Sequence, residues 1–418
     1  MRGFKHVYDH IRKYGFKHRA LYAMAFLILF WTIFDGILEY IVPLVITGEA
    51  VSKTMMGIII GTSSIAGFLF DILLCRIFKN ATVRRMYLIL FVICAFYPLI
   101  LWQANTIWLY IIAMAIWGIY YDLFNVGRYD FVGRYVKKEE HASSFGLLSV
   151  FTAIGYLLSP LIAGFVIQET VVFTPFIMSW FFLGISFIFF IILLFTLKNG
   201  KANNVIPKEP EVKRRELYIW GQIGKLIFPV LIMTLMINVI DATFWTIGPL
   251  LVESWADLGI LGSLFISAYL LPPLFMGWII GPVTGLLGKK RTAIIALLLA
   301  SIALIGFFFV PSHIVLIILA LFIGLFVSVA YPANNSTYAD YISESESVGT
   351  EIESQADIAT NIGYVIGPIL AGFLADTFGN IQAFGTIGII GIGVSLILFL
   401  ITPRKIKIKI KDPKHEKA

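Results

Sequence analysis

The sequence predicts an all-α membrane protein whose twelve transmembrane helices form two pseudo-symmetric six-helix bundles. Three observations carry that expectation. Hydrophobic residues make up 59% of the chain and charged residues 14%, whereas soluble domains sit near about 45–50% and ~25%. The apolar runs are each roughly 20 residues long, the length a helix needs to cross ~30 Å of hydrocarbon. Landmarks in the second half also repeat those of the first at a nearly constant offset.

The first six runs lie at about 20–47, 54–76, 84–103, 106–128, 142–167 and 173–197. The second six lie at about 226–251, 257–281, 291–311, 313–338, 356–377 and 381–402. An even number of spans returns the chain to its starting side. Alternate connections are basic: the tail from Arg2 to Arg19, Arg76 to Arg85, Arg128 to Lys138, Lys198 to Arg215, the GKKR at 288–291 and the C-terminal tail. Lys53 is the one basic residue read on the opposite side. An excess of Lys and Arg marks the cytoplasmic face, so both termini are expected in the cytoplasm and the chain in the plasma membrane. The net charge of +7 is thus assigned to membrane topology, with the lipid bilayer as partner and no nucleic acid expected. The first run exceeds 25 residues, contains Asp35 and Glu39 and has no small-residue cleavage site, so it reads as a retained span rather than a signal peptide. Cys75 and Cys94 lie where no oxidising compartment would pair them, and no disulfide is expected.

The chain breaks once, at the polar stretch KNGKANNVIPKEPEVKRRE over 198–216, which has linker composition. The expected organisation is an N-terminal bundle with its basic tail at 1–197, a linker at 198–218, a C-terminal bundle at 219–403 and a basic tail at 404–418. In span one Asp35 precedes Pro43 by eight residues, and in span seven Asp241 precedes Pro249 by eight, at an offset of 206. Two longer stretches repeat at an offset of 208: IGYLLSPLIAGF at 154–165 and IGYVIGPILAGF at 362–373. Six spans per half make the repeats parallel, an arrangement of transporters whose solute site lies between the halves.

Each of those stretches holds a mid-helix proline. Pro160 and Pro368 lack a backbone donor and press on the carbonyls of Tyr156 and Tyr364, four residues earlier, which bends a helix. Gly155, Ser159 and Ala163 share one face, as do Gly363, Gly367 and Ala371, and small residues at that spacing admit a close neighbouring helix. The cytoplasmic end of span two carries Gly67, Asp71, Arg76, Arg84 and Arg85, with Leu74 where a second glycine would complete the pattern. Its second-half counterpart is GPVTGLLGKKR, with Gly281, Gly288, Lys289 and Lys290 in register and Gly285 in place of the acid. A third similar string, GFLADTFG at 372–379, falls at the outer end of span eleven and reads as coincidence.

On these motifs the chain, from span one to span twelve, resembles the major facilitator superfamily. Gly155, Ser159, Pro160, Ala163 and Gly164 resemble the span-five motif of its drug/proton antiporters, and Gly363, Gly367, Pro368, Ala371 and Gly372 match that motif better from span eleven. Span four departs from many proton-coupled members, having Tyr110 or Met114 where they carry an arginine. The resemblance implies that spans one, four, seven and ten line the solute cavity. It gives the glycines and prolines above, together with Asp71, Arg84, Arg85 and Lys289, a part in gating or conformational change. Asp71 reads as a gate or structural residue rather than as a solute ligand.

The spans so implied carry polar and aromatic stripes: Trp31, Thr32, Asp35 and Glu39; Tyr110, Trp117, Tyr121 and Asn125; Thr234, Asn238, Asp241 and Trp245; Ser328, Tyr331, Asn335 and Tyr338. An acid at a helix centre costs roughly 2.5–3.5 kcal/mol on insertion scales, and such residues usually serve transport or proton relay. Asp35, Glu39 and Asp241 are therefore the candidates for proton coupling or for the charge of the solute. Repulsion and desolvation disfavour two charges at Asp35 and Glu39, so one of the pair is expected to hold a proton. The alternative is that these acids are structural, hydrogen-bonded across the bundle. All six histidines fall outside or at the edges of the spans. Asp130 and Arg134, four apart, read as a helix-end ion pair. The acidic stretch at 340–357 reads either as a solvated surface or as a partner of the basic 76–85 and 128–138 connections.

Acids beside aromatic faces suit a lipophilic cation. The leading expectation is a monomeric secondary transporter that works by alternating access and exports an amphiphilic or cationic small molecule in exchange for protons. The alternative is a proton-coupled importer of a sugar or similar nutrient. An enzyme is not expected, nor a metal or other cofactor: the sequence has no HExxH, no paired His/Cys ligands, no GxSxG and no P-loop lysine motif. The last absence also argues against ATP-driven pumping.

Overall fold

The computed structural model describes residues 19–49, 51–77, 82–137, 140–167, 173–197, 214–255, 258, 261–310, 312–344 and 348–403. Hydrocarbon offers no hydrogen bonds to a backbone, so a spanning segment must pair its own amides, and a helix does so within itself. The first half forms α1 (Arg19–Gly48), α2 (Lys53–Ile77), α3 (Val83–Gln103), α4 (Ile107–Tyr135), α5 (His141–Val166) and α6 (Thr174–Leu197). The second half forms α7 (Arg214–Glu253), α8 (Leu264–Leu270), α9 (Pro273–Leu287), α10 (Lys289–Ile305), α11 (His313–Glu344), α12 (Gly349–Phe378) and α13 (Asn380–Ile401). Helix starts follow local chemistry: Thr82 and Thr106 accept the amides of Arg85 and Leu109 through their hydroxyls at 3.3 and 3.4 Å, the N-cap arrangement. Eleven of the helices are long and apolar enough to cross a membrane among the described residues. Phe165, Phe309 and Leu400 are 72%, 76% and 84% exposed, a surface suited to lipid and costly in water.

The eighth span departs from the sequence expectation of 257–281. It begins at Leu264, breaks between Leu270 and Pro273, and continues to Leu287. Pro272 and Pro273 both lack the amide hydrogens that would bond to the carbonyls of Ala268 and Tyr269, so two successive rungs are missing. The freed Tyr269 carbonyl lies directly against Gly324 of α11, where any Cβ would collide with it.

The chain divides into two compact units, one of residues 1–45 and 66–207 and the other of 46–65 and 208–418. The N-terminal part of α2 thus groups with the second unit. In the first unit α5 packs closely on α1. A Cβ at Gly155 would meet the Thr32 side chain and, at 2.8 Å, the Leu29 carbonyl, while one at Gly36 would meet Ser159. In the second unit α12 uses small residues on two faces. Gly363 sits against Asn238 and Leu235, and a Cβ at Gly367 would stand 2.6 Å from that of Ala242, all on α7. On its other face the Pro368 carbonyl abuts Gly57 and Gly372 abuts the Lys53 carbonyl, both on α2. Asp376 closes that contact, accepting the Lys53 amide at 3.0 Å, the Thr54 amide at 2.8 Å and the Thr54 hydroxyl at 2.6 Å. Lys53 Nζ also donates to Asn380 at 2.7 Å. The string at 372–379 is therefore a cap on α2.

Candidate functional site

In the first unit, Asp35 is fully enclosed on α1 at 0% exposure. Its Oδ1 accepts Trp117 Nε1 at 2.9 Å and the Tyr120 hydroxyl at 2.7 Å, both from α4. Its Oδ2 accepts the Tyr156 hydroxyl of α5 at 2.9 Å. A buried carboxylate is tolerable only when paired or hydrogen-bonded, and here both oxygens are engaged. Trp31, one turn earlier, is fully buried and stacks on Phe124 with ring centroids 3.6 Å apart and planes 8° apart. Thr32 directs its hydroxyl to the carbonyls of Ile28 and Leu29 on its own helix, at 2.9 Å each. Glu39 is half-buried, as is Asn125, whereas Tyr121 is 38% exposed.

The second unit repeats the theme with different parts. Asp241 on α7 accepts the Tyr269 hydroxyl of α8 at 2.7 Å on Oδ1 and the Tyr364 hydroxyl of α12 at 2.8 Å on Oδ2. Tyr269 is held by Phe244, whose ring stacks on it at 3.9 Å and 7°. Asp241 is half-buried, unlike Asp35. One to two turns earlier on α7, at Asn238 and Thr234, lies a second polar group. Thr234 shares a 2.7 Å hydrogen bond with the Tyr338 hydroxyl and accepts Asn334 Nδ2 at 2.7 Å, both from α11. Asn238 donates to the Thr234 carbonyl at 2.8 Å. Trp245 is half-buried, and Tyr331 and Asn335 are exposed on α11.

Trp117 is thus joined to Asp35, and Asn238 lies in the Thr234 group. Four tyrosines absent from the sequence-level candidates hold the two carboxylates: Tyr120, Tyr156, Tyr269 and Tyr364. The signal for two of them lay in the repeated stretches, where Tyr156 and Tyr364 stand at the same place, four residues before each proline.

Of the residues read as gating motifs, Gly155, Pro160, Gly363, Gly367 and Pro368 lie inside α5 and α12, and the others lie on α2, α3, α5, α9, α10 and α12 or at the α9–α10 turn. A Cβ on Gly67 would collide with the Asp122 carboxylate and come 3.4 Å from the Gly118 carbonyl, so glycine there lets α2 approach α4. Asp71 is half-buried; Arg84 and Arg85 are exposed. Gly164 is half-buried on α5. Gly281 has open space around it, and Gly288, at φ +82°, makes the turn between α9 and α10 that favours glycine. Lys289 donates to Asp340 at 2.5 Å and to the Ser336 carbonyl at 3.3 Å. Arg134 pairs with Asp130 at 2.5 Å, as the spacing suggests. Residues 78–81, 138–139 and 345–347, which the reading of the acidic stretch also involves, lie outside the described residues. No cluster of three or more His, Cys, Asp or Glu side chains suited to a metal occurs among the described residues.

The family model described as "Major Facilitator Superfamily" matches this sequence twice, over residues 23–254 and 230–417. The curated "Multidrug resistance protein MdtG" of Klebsiella pneumoniae (strain 342) is 25% identical over 282 residues, a region covering 66% of each chain. The match thus spans just under two thirds of that relative's length. Among solved structures, nucleoside transporter NupG superposes with a TM-score of 0.68 at 14% identity, covering 91% of this chain and 97% of that one. A POT family transporter in complex with 5-aminolevulinic acid superposes with a TM-score of 0.73 at 16% identity, covering 92% and 96%. At these identities the superpositions establish a common fold.

Proposed function

This chain belongs to the major facilitator superfamily and is an integral membrane transporter, and from that premise we propose that it exports an amphiphilic or cationic small molecule in exchange for protons. The observation that carries the reading is the pair of intramembrane carboxylates, Asp35 and Asp241, each held by tyrosine hydroxyls in its own unit. A carboxylate in a low-dielectric setting is expensive to keep and can exchange a proton with, or yield to, a cation. The aromatic surroundings of each, Trp31 and Trp117 beside Asp35 and Phe244 beside Asp241, suit a lipophilic cation. The resemblance to a curated multidrug resistance protein supports the same solute class and direction. Glu39 serves as a second acid one turn from Asp35. Alternating access moves the solute, with both termini in the cytoplasm and the monomer as the working unit.

The test is flux in proteoliposomes carrying an imposed proton gradient. Tetraphenylphosphonium and ethidium serve as lipophilic cations and a panel of sugars as the contrasting arm. Gradient-dependent movement of the cations, lost in Asp35→Asn and Asp241→Asn, is expected. Coupled cation flux unchanged in both variants, or coupled flux confined to the sugars, refutes the proposal.

A further inference from the structure

The two carboxylates share one kind of partner. Asp35 takes its other hydrogen bonds from the fourth helix of its half, through Trp117 and Tyr120. Asp241 takes its second bond from the broken eighth span, through Tyr269. What recurs is a tyrosine from the fifth helix of each half: Tyr156 to Asp35 Oδ2 at 2.9 Å and Tyr364 to Asp241 Oδ2 at 2.8 Å. Both tyrosines stand four residues before a proline inside a continuous helix. The same residue therefore ties its side chain to an intramembrane carboxylate and has a backbone carbonyl that receives no amide from the proline. Immediately beside it the helix touches its neighbour through small residues, Gly155 and Ser159 in one half and Gly363 and Gly367 in the other.

We propose that Tyr156 and Tyr364 are positioning residues that link the charge on Asp35 and Asp241 to the proline-containing helices α5 and α12. This rests on the reading of those two acids as the groups that gain and lose charge during transport. A hydrogen bond to an ionised carboxylate is roughly twice as strong as a neutral one. Neutralising the acid therefore loosens the tyrosine, and with it the helix at its weakest rung. Among the described residues, Asp35 is faced by Glu39 on its own helix, Cys94 and Tyr97 of α3 and Tyr121 of α4, besides the three donors. Asp241 is faced by Tyr269 and Tyr364 among the described residues.

The two copies are unequal. In α5 the freed Tyr156 carbonyl accepts the Ser159 hydroxyl at 3.0 Å. In α12 the corresponding position is Gly367, which has no hydroxyl to offer. The two copies thus differ in the residue that stands one position before the proline.

Hydrogen–deuterium exchange on the purified full chain in detergent micelles tests the link without knowledge of the solute. Tyr→Phe keeps the ring and removes only the hydroxyl. Losing one hydrogen bond corresponds to about a tenfold rise in local exchange, expected over residues 361–372 in Tyr364→Phe. Asp241→Asn, which leaves a neutral acceptor, should raise exchange there by about threefold. The double variant should show no more than Tyr364→Phe alone. Tyr156→Phe should likewise raise exchange over 153–165. Exchange unchanged in Tyr364→Phe or in Tyr156→Phe, or additive effects of the two substitutions at Tyr364 and Asp241, would overturn the proposal.

Proton and tetraphenylphosphonium flux measured on the same variants separates this proposal from the one it rests on. If Asp241→Asn leaves coupled flux intact, the reading of the acid fails and the functional link falls with it, whatever the exchange data show. If Asp241→Asn abolishes coupled flux while Tyr364→Phe leaves the proton-to-cation ratio unchanged, the tyrosine proposal fails alone.

Discussion

Replacing Asp35 by alanine or by asparagine should give sharply different stabilities, although both remove the charge. Three donors converge on this carboxylate, Trp117 Nε1 and the hydroxyls of Tyr120 and Tyr156. Asparagine keeps an oxygen where Trp117 and Tyr120 both bond, and its amide can donate to Tyr156, whose hydroxyl rotates to accept. Weaker neutral bonds are then offset by the relief of a buried charge, so the net change should lie within about 1 kcal/mol. Alanine offers nothing. The indole of Trp117 can only donate, and each stranded group costs about 1–3 kcal/mol, which places Asp35→Ala about 3–6 kcal/mol below the wild type once the hydroxyls have found what partners they can. Reversible unfolding by SDS titration in mixed micelles reads this directly as a shift of the midpoint. The outcome that refutes the reasoning is an alanine variant as stable as the asparagine one, since a carboxylate that anchors three donors cannot be deleted without cost.

The cap that Asp376 places on α2 should be worth about 0.5–2 kcal/mol; Asp376→Ala is expected to raise hydrogen exchange over residues 51–60, and unchanged protection there counts against it. Gly367→Leu should lower the unfolding midpoint by the equivalent of about 1–3 kcal/mol, because its first side-chain carbon would stand 2.6 Å from that of Ala242. Gly281→Leu, facing open space, should leave the midpoint unchanged; equal effects of the two would mean that proximity to α7 is not the cause. Lys289→Met removes an ion pair to the half-exposed Asp340 and should cost less than about 1 kcal/mol, so a large drop in midpoint would contradict the surface character of that pair.

The sequence showed the helices and their repetition because hydropathy and proline spacing are properties of a single strand of residues. It showed the buried acids for the same reason, since Asp35 and Asp241 stand out in apolar surroundings. Partners were harder to read, because they depend on how neighbouring helices are rotated. One position turns an α-helix by about 100°, and the stripe chosen on span ten included Asn335, which is exposed, instead of Asn334, which is buried and bonded to Thr234. Tyr156 and Tyr364 were visible as the residues whose carbonyls the prolines disturb, yet their hydroxyls point to acids more than a hundred residues away in the sequence. The break in span eight was written in the adjacent Pro272 and Pro273, a signal that hydropathy alone smooths over. Asp376 looked like a fragment of a misplaced motif, and its capping of α2 emerges only when two helices some 320 residues apart meet.

Proton release on solute binding tests the central claim most directly. Adding tetraphenylphosphonium to the purified protein in weakly buffered micelles should acidify the medium if the cation displaces protons from Asp35 or Asp241. Release is expected from the wild type, reduced in each of Asp35→Asn and Asp241→Asn and lost when both are combined. Equal release from the wild type and the double variant would contradict it.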